Sequence, residues 1–429
     1  MTAISRRGFL QQTATAGLVL ASGSLRAVAA NDKLGVAVIG VRGQGGALLN
    51  GFAGQPDVNI THICDIDEEV RGRRGKEIEG KTGKAPKLVK DYRTILDDKS
   101  VDVLVIGTPD HWHALPTVHG CIAGKDVYVE KPDGHNIVEG KTMVAAARKH
   151  DRIVQLGTQA RSAPDLHEAV KYVQAGNLGK VIYGRAWETD RQGDLGKPAD
   201  SEPPTGVDYD LWLGPAPLRK FNVRRFHGNW RWFFDYGCGD LGNDGVHRLD
   251  FCRWALGIGG LEHPTAISAS GGKFFFDDAQ EWPDTQLVTY DYPGKIMTYE
   301  MRIWSKPRLF ECTEGAAIYG DNGWLLISNT GWKHFDPKGV VVKEMGGRSP
   351  LLVHIRNFLE AVKSRKRETL NQEIAQGHAS SVLCHAGNIA WRTGKKIKFD
   401  PKTETFDDAE ANKLLGREYR KGFELPSVT

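Results

Sequence analysis

Leu34-Gly-Val-Ala-Val-Ile39, running directly into Gly40-Val-Arg-Gly-Gln-Gly45, is the stretch on which the fold turns. A short apolar, β-branched run that stops at glycines reads as a buried parallel strand. The glycines then mark a tight turn opening a helix, where a pyrophosphate-binding turn belongs. A helix N-terminus offers free N–H groups and the positive end of its dipole to phosphates. Gly40 supplies the turn, and Gly45 lets helix and strand approach closely. The middle glycine of a GxGxxG pattern is replaced by Arg42, with Gly43 and Gln44 beside it, so these residues alone also describe a plain Gly-rich turn.

The surroundings decide between the two. Strand-like runs follow at Val58–Ile63, Val101–Ile106, Val127–Val129 and Ile153–Leu156, with helix-like segments at Glu68–Thr82, His113–Ala123 and Glu139–His150 between them. That alternation predicts βαβ units and a doubly wound parallel sheet. Asp65 ends the second strand 25 positions after Gly40. A carboxylate there accepts from ribose hydroxyls and repels a 2′-phosphate, which favours NAD over NADP; Asp67 is its near competitor. Thr108-Pro109-Asp110 follows the next strand at its carboxyl edge, where such sheets bind ligands.

Beyond about residue 158 the rhythm changes. Val181–Thr189, Thr265–Gly271, Thr285–Tyr292, Lys295–Ile303, Ala316–Tyr319 and Trp324–Ser328 are strand candidates. Some alternate polar with apolar, and short turns at Tyr292-Pro-Gly-Lys295 and Gly320-Asp-Asn-Gly323 join pairs of them. A largely antiparallel sheet with helices on one face is expected. Helical patterns return at Leu351–Arg365 and Ala375–Thr393. The whole reads as an α/β chain, with a Rossmann domain over 31–157 and a C-terminal catalytic and substrate domain of α+β type over 158–429.

The 429 residues are 40% hydrophobic and 26% charged, ordinary for a folded protein. Arg6, Arg7 and Arg26 supply three of the charges behind the formal +4. The remainder is too near neutral for a nucleic-acid or anionic-membrane surface, so a small molecule is the expected partner. Ser5-Arg6-Arg7-Gly8-Phe9-Leu10 is a twin-arginine signature, with a mild apolar stretch over Ala14–Ala21 and a small-residue site at Ala27-Val28-Ala29. Residues 1–30 therefore read as an export signal for periplasmic or comparable delivery, too short and polar to span a bilayer. The six cysteines (64, 121, 238, 252, 312, 384) are scattered without a CxxC, and buried free thiols are expected.

Glu130-Lys131-Pro132 caps the Val127–Val129 strand. A lysine at that edge can polarise a carbinol or carbonyl oxygen. Together, the glycine turn, Thr108-Pro-Asp-His-Trp-His113 and Glu130-Lys-Pro132 resemble the glucose-fructose oxidoreductase / inositol dehydrogenase / rhizopine-catabolism (Gfo/Idh/MocA) oxidoreductase family, from about Lys33 to the C-terminus. The resemblance implies a C-terminal domain with a large open sheet, often used for oligomer contacts, and hence a homo-oligomer, dimer or tetramer. It also implies a catalytic lysine at Lys131, with Pro132 often following a cis peptide. Gly237-Cys-Gly-Asp-Leu-Gly-Asn-Asp-Gly-Val-His247 resembles the family's glycine-rich entry to a helix bearing Asp and His four residues apart. His247 falls on the acid/base histidine. The aspartate position holds Asn243, which brings no charge, and Asp240 or Asp244 flanks it.

The chemistry is coherent. Alcohol oxidation needs a base for the hydroxyl proton, which suits histidine, and a cation for the developing alkoxide, which suits lysine. His111 and His113 form an HxH without further metal-like spacing, so a place at the nicotinamide edge is expected rather than a metal. Gln159 lies at the end of its strand and Arg161 just beyond, toward substrate. Arg191 and Arg231 are weaker candidates of the same kind. Trp230 and Trp232 offer faces on which a sugar ring can stack, or simply pack beneath their loop. Three functions remain open. The first is a sugar oxidoreductase with tightly held NAD, since free NAD is scarce outside the cytoplasm. The second is a redox-neutral NAD-dependent glycosidase. The third is a sugar-binding or scaffold protein holding NAD.

Overall fold

The expected opening strand forms as β1 (Leu34–Ile39) and hands directly to α1 (Gly43–Ala53). The structure is a computed structural model and describes residues 33–347 and 349–428, so the expected export signal lies outside the described residues. β1 joins β2 (Val58–Cys64), β3 (Lys87–Val89), β4 (Val103–Ile106), β5 (Asp126–Val129) and β6 (Val154–Leu156) in a sheet of order β3-β2-β1-β4-β5-β6. Every pairing is parallel. The reversal between β1 and β4 leaves a crevice at the strands' carboxyl ends. α2 (Glu68–Thr82), α3 (Ala114–Ile122) and α4 (Ile137–Lys149) provide the crossovers.

Strand alternation sends β1, β4 and β5 side chains to two cores. Ala37, Ile39, Leu104, Ile106, Val127 and Val129 pack with α3 and α4. Val36, Val38, Val103, Val105 and Tyr128 pack with α1 and with Ile355, Phe358 and Leu359. The last three belong to a helix expected in the second domain, so the chain returns late to finish the first layer. Arg356 on that helix grips Asp57 with two bonds of 2.8 Å. From Leu34 onward the chain forms one compact unit.

The second sheet has ten strands. It uses β7 (Val181–Thr189), β8 (Ala266–Gly272), β9 (Thr285–Tyr292), β10 (Lys295–Arg302), β11 (Glu314–Gly320), β12 (Gly323–Ser328), β13 (Gly331–Phe335), β14 (Val341–Gly346), β15 (Ile397–Asp400) and β16 (Thr405–Phe406). Their order is β14-β13-β12-β11-β7-β10-β9-β8-β15-β16. Only β7 with β10 is parallel. The remaining helices of use below are α5 (Pro164–Gln174), α6 (Tyr209–Leu213), α7 (Gly239–Asn243), α8 (Gly245–Ala255), α9 (Leu351–Ser364) and α10 (Ile374–Thr393). α8 and the almost wholly buried α10 cover the sheet's inner face. All six cysteines are free thiols. No helix among the described residues is long and apolar enough to cross a membrane.

Candidate active site

The glycine turn is built as the sequence requires. Gly40 sits at φ +75°, and a Cβ on Gly45 would lie 1.9 Å from the Gly40 carbonyl oxygen, so only glycine permits this helix–strand approach. Gly43, at φ +40°, has open space before it. Arg42 precedes α1 in extended conformation without capping it, and the first turn carries no acid. Its N–H groups are thus left for an anion. Asp65 is buried at the end of β2, accepting from the Val41 N–H (2.9 Å) and the Asp67 N–H (3.1 Å). Burial raises its pKa. Its competitor Asp67 is engaged as the cap of α2, accepting from the Glu69 and Val70 N–H groups.

Gly40, Arg42, Gly43, Gln44 and Asp65 line a cleft of about 200 Å³ together with Thr108, Pro109, His113, Glu130, Lys131 and Trp230. The cleft fits a dinucleotide. Besides the free turn, the Thr108 hydroxyl is buried and without a partner among the described residues. His113 lies 2.9 Å from the Thr108 carbonyl and 2.6 Å from that of Pro132. Glu130 is buried, which raises its pKa, and accepts from Gln44 (3.1 Å) and Gln159 (2.8 Å). That chain ties the glycine turn to the ends of β5 and β6.

A second, polar pocket adjoins the cleft, sharing Gln44, Glu130, Lys131, Arg231 and Asn243 with it. Lys131 and His247 both face this pocket, so two residues 116 positions apart in the chain meet at one site. The Lys131–Pro132 peptide is cis. The Lys131 ammonium donates to the Asn243 carbonyl (2.7 Å) and side-chain oxygen (3.2 Å). Neither ring nitrogen of His247 has a hydrogen-bond partner among the described residues. Burial, then the Lys131 and Arg248 cations, lower its pKa to about 3, so the ring is a neutral imidazole across the physiological range.

Asp240, Asp244 and Trp232 complete the pocket with Arg191 and Arg231. Asp240 is buried with neither oxygen bonded, and burial plus the Asp244 charge push its pKa up to about 7. Burial opposes ionisation of Asp244 too, but Lys131, Arg191 and Arg248 outweigh it and hold that carboxyl well below its usual range. Sequence reasoning missed Glu188 and Glu314. Glu188, Asp240 and Asp244 bring carboxylate oxygens within 4.8 Å of one another. Arg191 lies among these acids, 2.6 Å from Glu188, 2.9 Å from Asp244 and 2.9 Å from Glu314. The available signal was a charged residue at an inward position on each of two strands: Glu188 and Glu314 are register partners on β7 and β11. His227, 3.0 Å from Asp67, was missed as a cleft residue because its loop has no periodicity.

Two expected site residues are elsewhere. His111 is packed away, its Nε2 2.9 Å from the Trp212 carbonyl and its Nδ1 3.3 Å from that of Tyr236, and burial drives its pKa down to about 3. It fastens α6 to the Rossmann edge instead of lining the cleft. Arg161 makes two bonds to Asp250, at 2.7 and 3.0 Å, and stacks over Trp254, so it braces α8 from inside and reaches neither cavity.

Comparison with known proteins agrees with this architecture. A glycosyl hydrolase family 109 protein of Saccharopolyspora erythraea is 25% identical over 218 residues, 44% of this chain and 47% of that protein. A levoglucosan dehydrogenase of Pseudarthrobacter phenanthrenivorans is 30% identical over 110 residues, 24% of this chain and 28% of that one. The chain thus spans about half or less of the length of these relatives. Among solved structures, an aldose-aldose oxidoreductase from Caulobacter crescentus superposes with TM-score 0.65 at 19% identity, covering 86% of this chain and 100% of that chain. A levoglucosan dehydrogenase in complex with NADH and levoglucosan superposes with TM-score 0.65 at 16% identity, over 85% of this chain and 99% of that one. Residues 34–158 match the family described as "Oxidoreductase family, NAD-binding Rossmann fold", and residues 171–425 match "Oxidoreductase family, C-terminal alpha/beta domain". With both halves accounted for, the chain belongs to the Gfo/Idh/MocA oxidoreductase family.

Proposed function

We propose that the protein oxidises a secondary hydroxyl of a sugar or sugar derivative in the polar pocket beside the dinucleotide cleft. The observation that carries this reading is Lys131, which stands on the shared wall of the two cavities with His247 facing the same pocket. NAD would be held by the Gly40–Gly45 turn, Asp65 and the Thr108–Pro109 edge, and supplies the acceptor for the hydride of the carbinol carbon. Lys131, turned toward Asn243 rather than a carboxylate, keeps an ammonium free to donate to the substrate oxygen and to stabilise negative charge developing there. Neutral His247 takes the hydroxyl proton only in passing, because a pKa of about 3 disfavours a standing imidazolium. Asp240, whose pKa lies near neutrality, is the group in the pocket suited to hold that proton next. Trp232 would flank the ring from the pocket, with Trp230 on the cleft side, and Asp244, fixed by Arg191, would accept from a neighbouring hydroxyl.

Lys131→Ala and His247→Ala are each expected to lower kcat by about 10²- to 10⁴-fold on the best sugar substrate while leaving the melting temperature near that of the wild type. Full turnover in both variants would refute the assignment of these two residues, and no turnover by the wild type on any sugar would leave the non-enzymatic reading. The glycosyl hydrolase family 109 relatives favour a second reading, transient oxidation followed by elimination and re-reduction. Release of an aglycone without net change in nicotinamide absorbance would select it. The twin-arginine start supports export, and with it tight retention of the cofactor.

A further inference from the structure

A cavity of about 260 Å³ shares no lining residue with either half of the active site. One wall is a single face of α10, where His385, Asn388 and Arg392 recur at helical spacing. His135 and Asn136 at the start of α4, and Arg417 near the C-terminus, line it as well. Four side-chain atoms of these residues are buried without a hydrogen-bond or ion-pair partner among the described residues, namely Asn136 Nδ2, Arg417 Nη1, His135 Nδ1 and Asn388 Oδ1, whereas His385 Nε2 lies 4.0 Å from the Asp133 carboxylate. Folded proteins leave few such atoms unsatisfied, and four around one cavity call for an occupant.

Their chemistry specifies it. Neither Arg392, which lies 5.1 Å over the Phe234 ring, nor Arg417 forms an ion pair among the described residues. Of the two acids on the lining, Asp235 is held by Arg219 at 2.8 Å and Glu418 is exposed. Two guanidinium groups and the Asn136 amide therefore offer donors, with positive charge, to an anion. His135 Nδ1 and Asn388 Oδ1 are acceptors. His135 Nε2 donates to the Phe234 carbonyl (2.8 Å), which leaves Nδ1 a lone pair in the neutral ring. Asn388 Nδ2 donates to the Cys238 carbonyl (2.7 Å), which leaves Oδ1 as that amide's unsatisfied acceptor. Water would satisfy the acceptors but bring no countercharge to Arg392, and among the described acids only the buried Glu139 acts on Arg417. A bare anion would satisfy the arginines but not the acceptors.

We propose that this cavity is a second binding site, for a small oxyanion that also carries hydroxyl groups, such as a hydroxy-carboxylate. The oxyanion pairs with Arg392 and Arg417, and the hydroxyls donate to His135 and Asn388. The test is isothermal titration of the full chain, saturated with NAD so that the cofactor cleft is blocked. Sodium gluconate and inorganic phosphate are titrated separately against sodium chloride at matched ionic strength. One-site binding of gluconate is expected, weakened about tenfold or more in Arg417→Gln and in Arg392→Gln. Arg392 is exposed, so its variant folds whatever happens to the other. Asn388→Leu is expected to weaken gluconate more than phosphate, which has fewer hydroxyl donors. No saturable heat with either anion, binding that Arg392→Gln retains in full, or loss of binding once NAD is present would overturn the proposal.

Discussion

Asp240 is the residue whose charge state the site leaves most finely balanced. It is buried, its oxygens are unpaired, and Asp244 stands beside it as a second negative charge. The folded-state pKa of about 7 exceeds the ordinary 3.8, so between those values the native state binds more protons than the unfolded one. Stability is therefore lost as pH rises through this window, and above about 7 the penalty is constant. Asp240→Asn removes the titration and puts an amide donor near two carboxylates. Its gain in melting temperature over the wild type should be small at pH 4, grow toward pH 7 and then level off, as followed by thermal denaturation across that range. A gain independent of pH would mean that Asp240 is ionised throughout. The same variant should lose activity at neutral pH if the carboxyl handles the substrate proton.

At the scale of elements, the strand that carries Lys131 is held by a helix from the far end of the chain. Asp133, two residues on, lies 2.6 Å from His378 on α10, and His378 also pairs with Glu404 at 3.3 Å. Burial opposes the imidazolium, but the two carboxylates outweigh it and lift His378 to about 9. This contribution is fully present below the unfolded value of 6.5 and is lost as pH rises through about 9. His378→Gln should lower the melting temperature at pH 6 and flatten its decline between pH 6.5 and 9, and kcat should fall as the Lys131 loop loosens. An unchanged pH profile would show that the pair contributes nothing. Much of this scale was legible beforehand. The β1–α1 turn, Asp65 and Glu130-Lys131-Pro132 carry local signals, since each is set by strand period and glycine geometry. α5 went unread although Pro164 opens it and Leu166, Ala169, Val170 and Val173 recur at helical spacing on its buried face. β13 and β14 were missed as well, β14 being exposed throughout and lacking the alternation of a half-buried strand. The placement of His111 and Arg161 was illegible for another reason: their partners, Trp212 and Asp250, lie about a hundred positions away, and no local pattern reports such pairing.

For the whole molecule, the ten-stranded sheet covers one face with α8 and α10 and leaves the other to solvent or to a second copy. That outer face carries Leu287 at 55% and Ile296 at 46% exposed, and Tyr183 stacked on Tyr319 with ring centroids 5.4 Å apart. An exposed apolar face of this kind marks an association surface. We therefore expect a homo-oligomer assembled through the sheet, and Leu287→Asp with Ile296→Asp should shift it to monomers in light scattering coupled to gel filtration. A wild type that is already monomeric, or a variant that keeps its mass, would refute this. Oxidation of a carbinol at the wall shared by cleft and pocket is the chemistry proposed for Lys131 and His247. Loading the protein with NAD, mixing it with fully deuterated sugars and glycosides, and weighing the recovered cofactor by mass spectrometry tests this most directly. Deuterium should appear in the nicotinamide ring with the wild type and be absent with Lys131→Ala. Unlabelled cofactor from the wild type across the panel, or equal labelling with and without Lys131, would contradict the account.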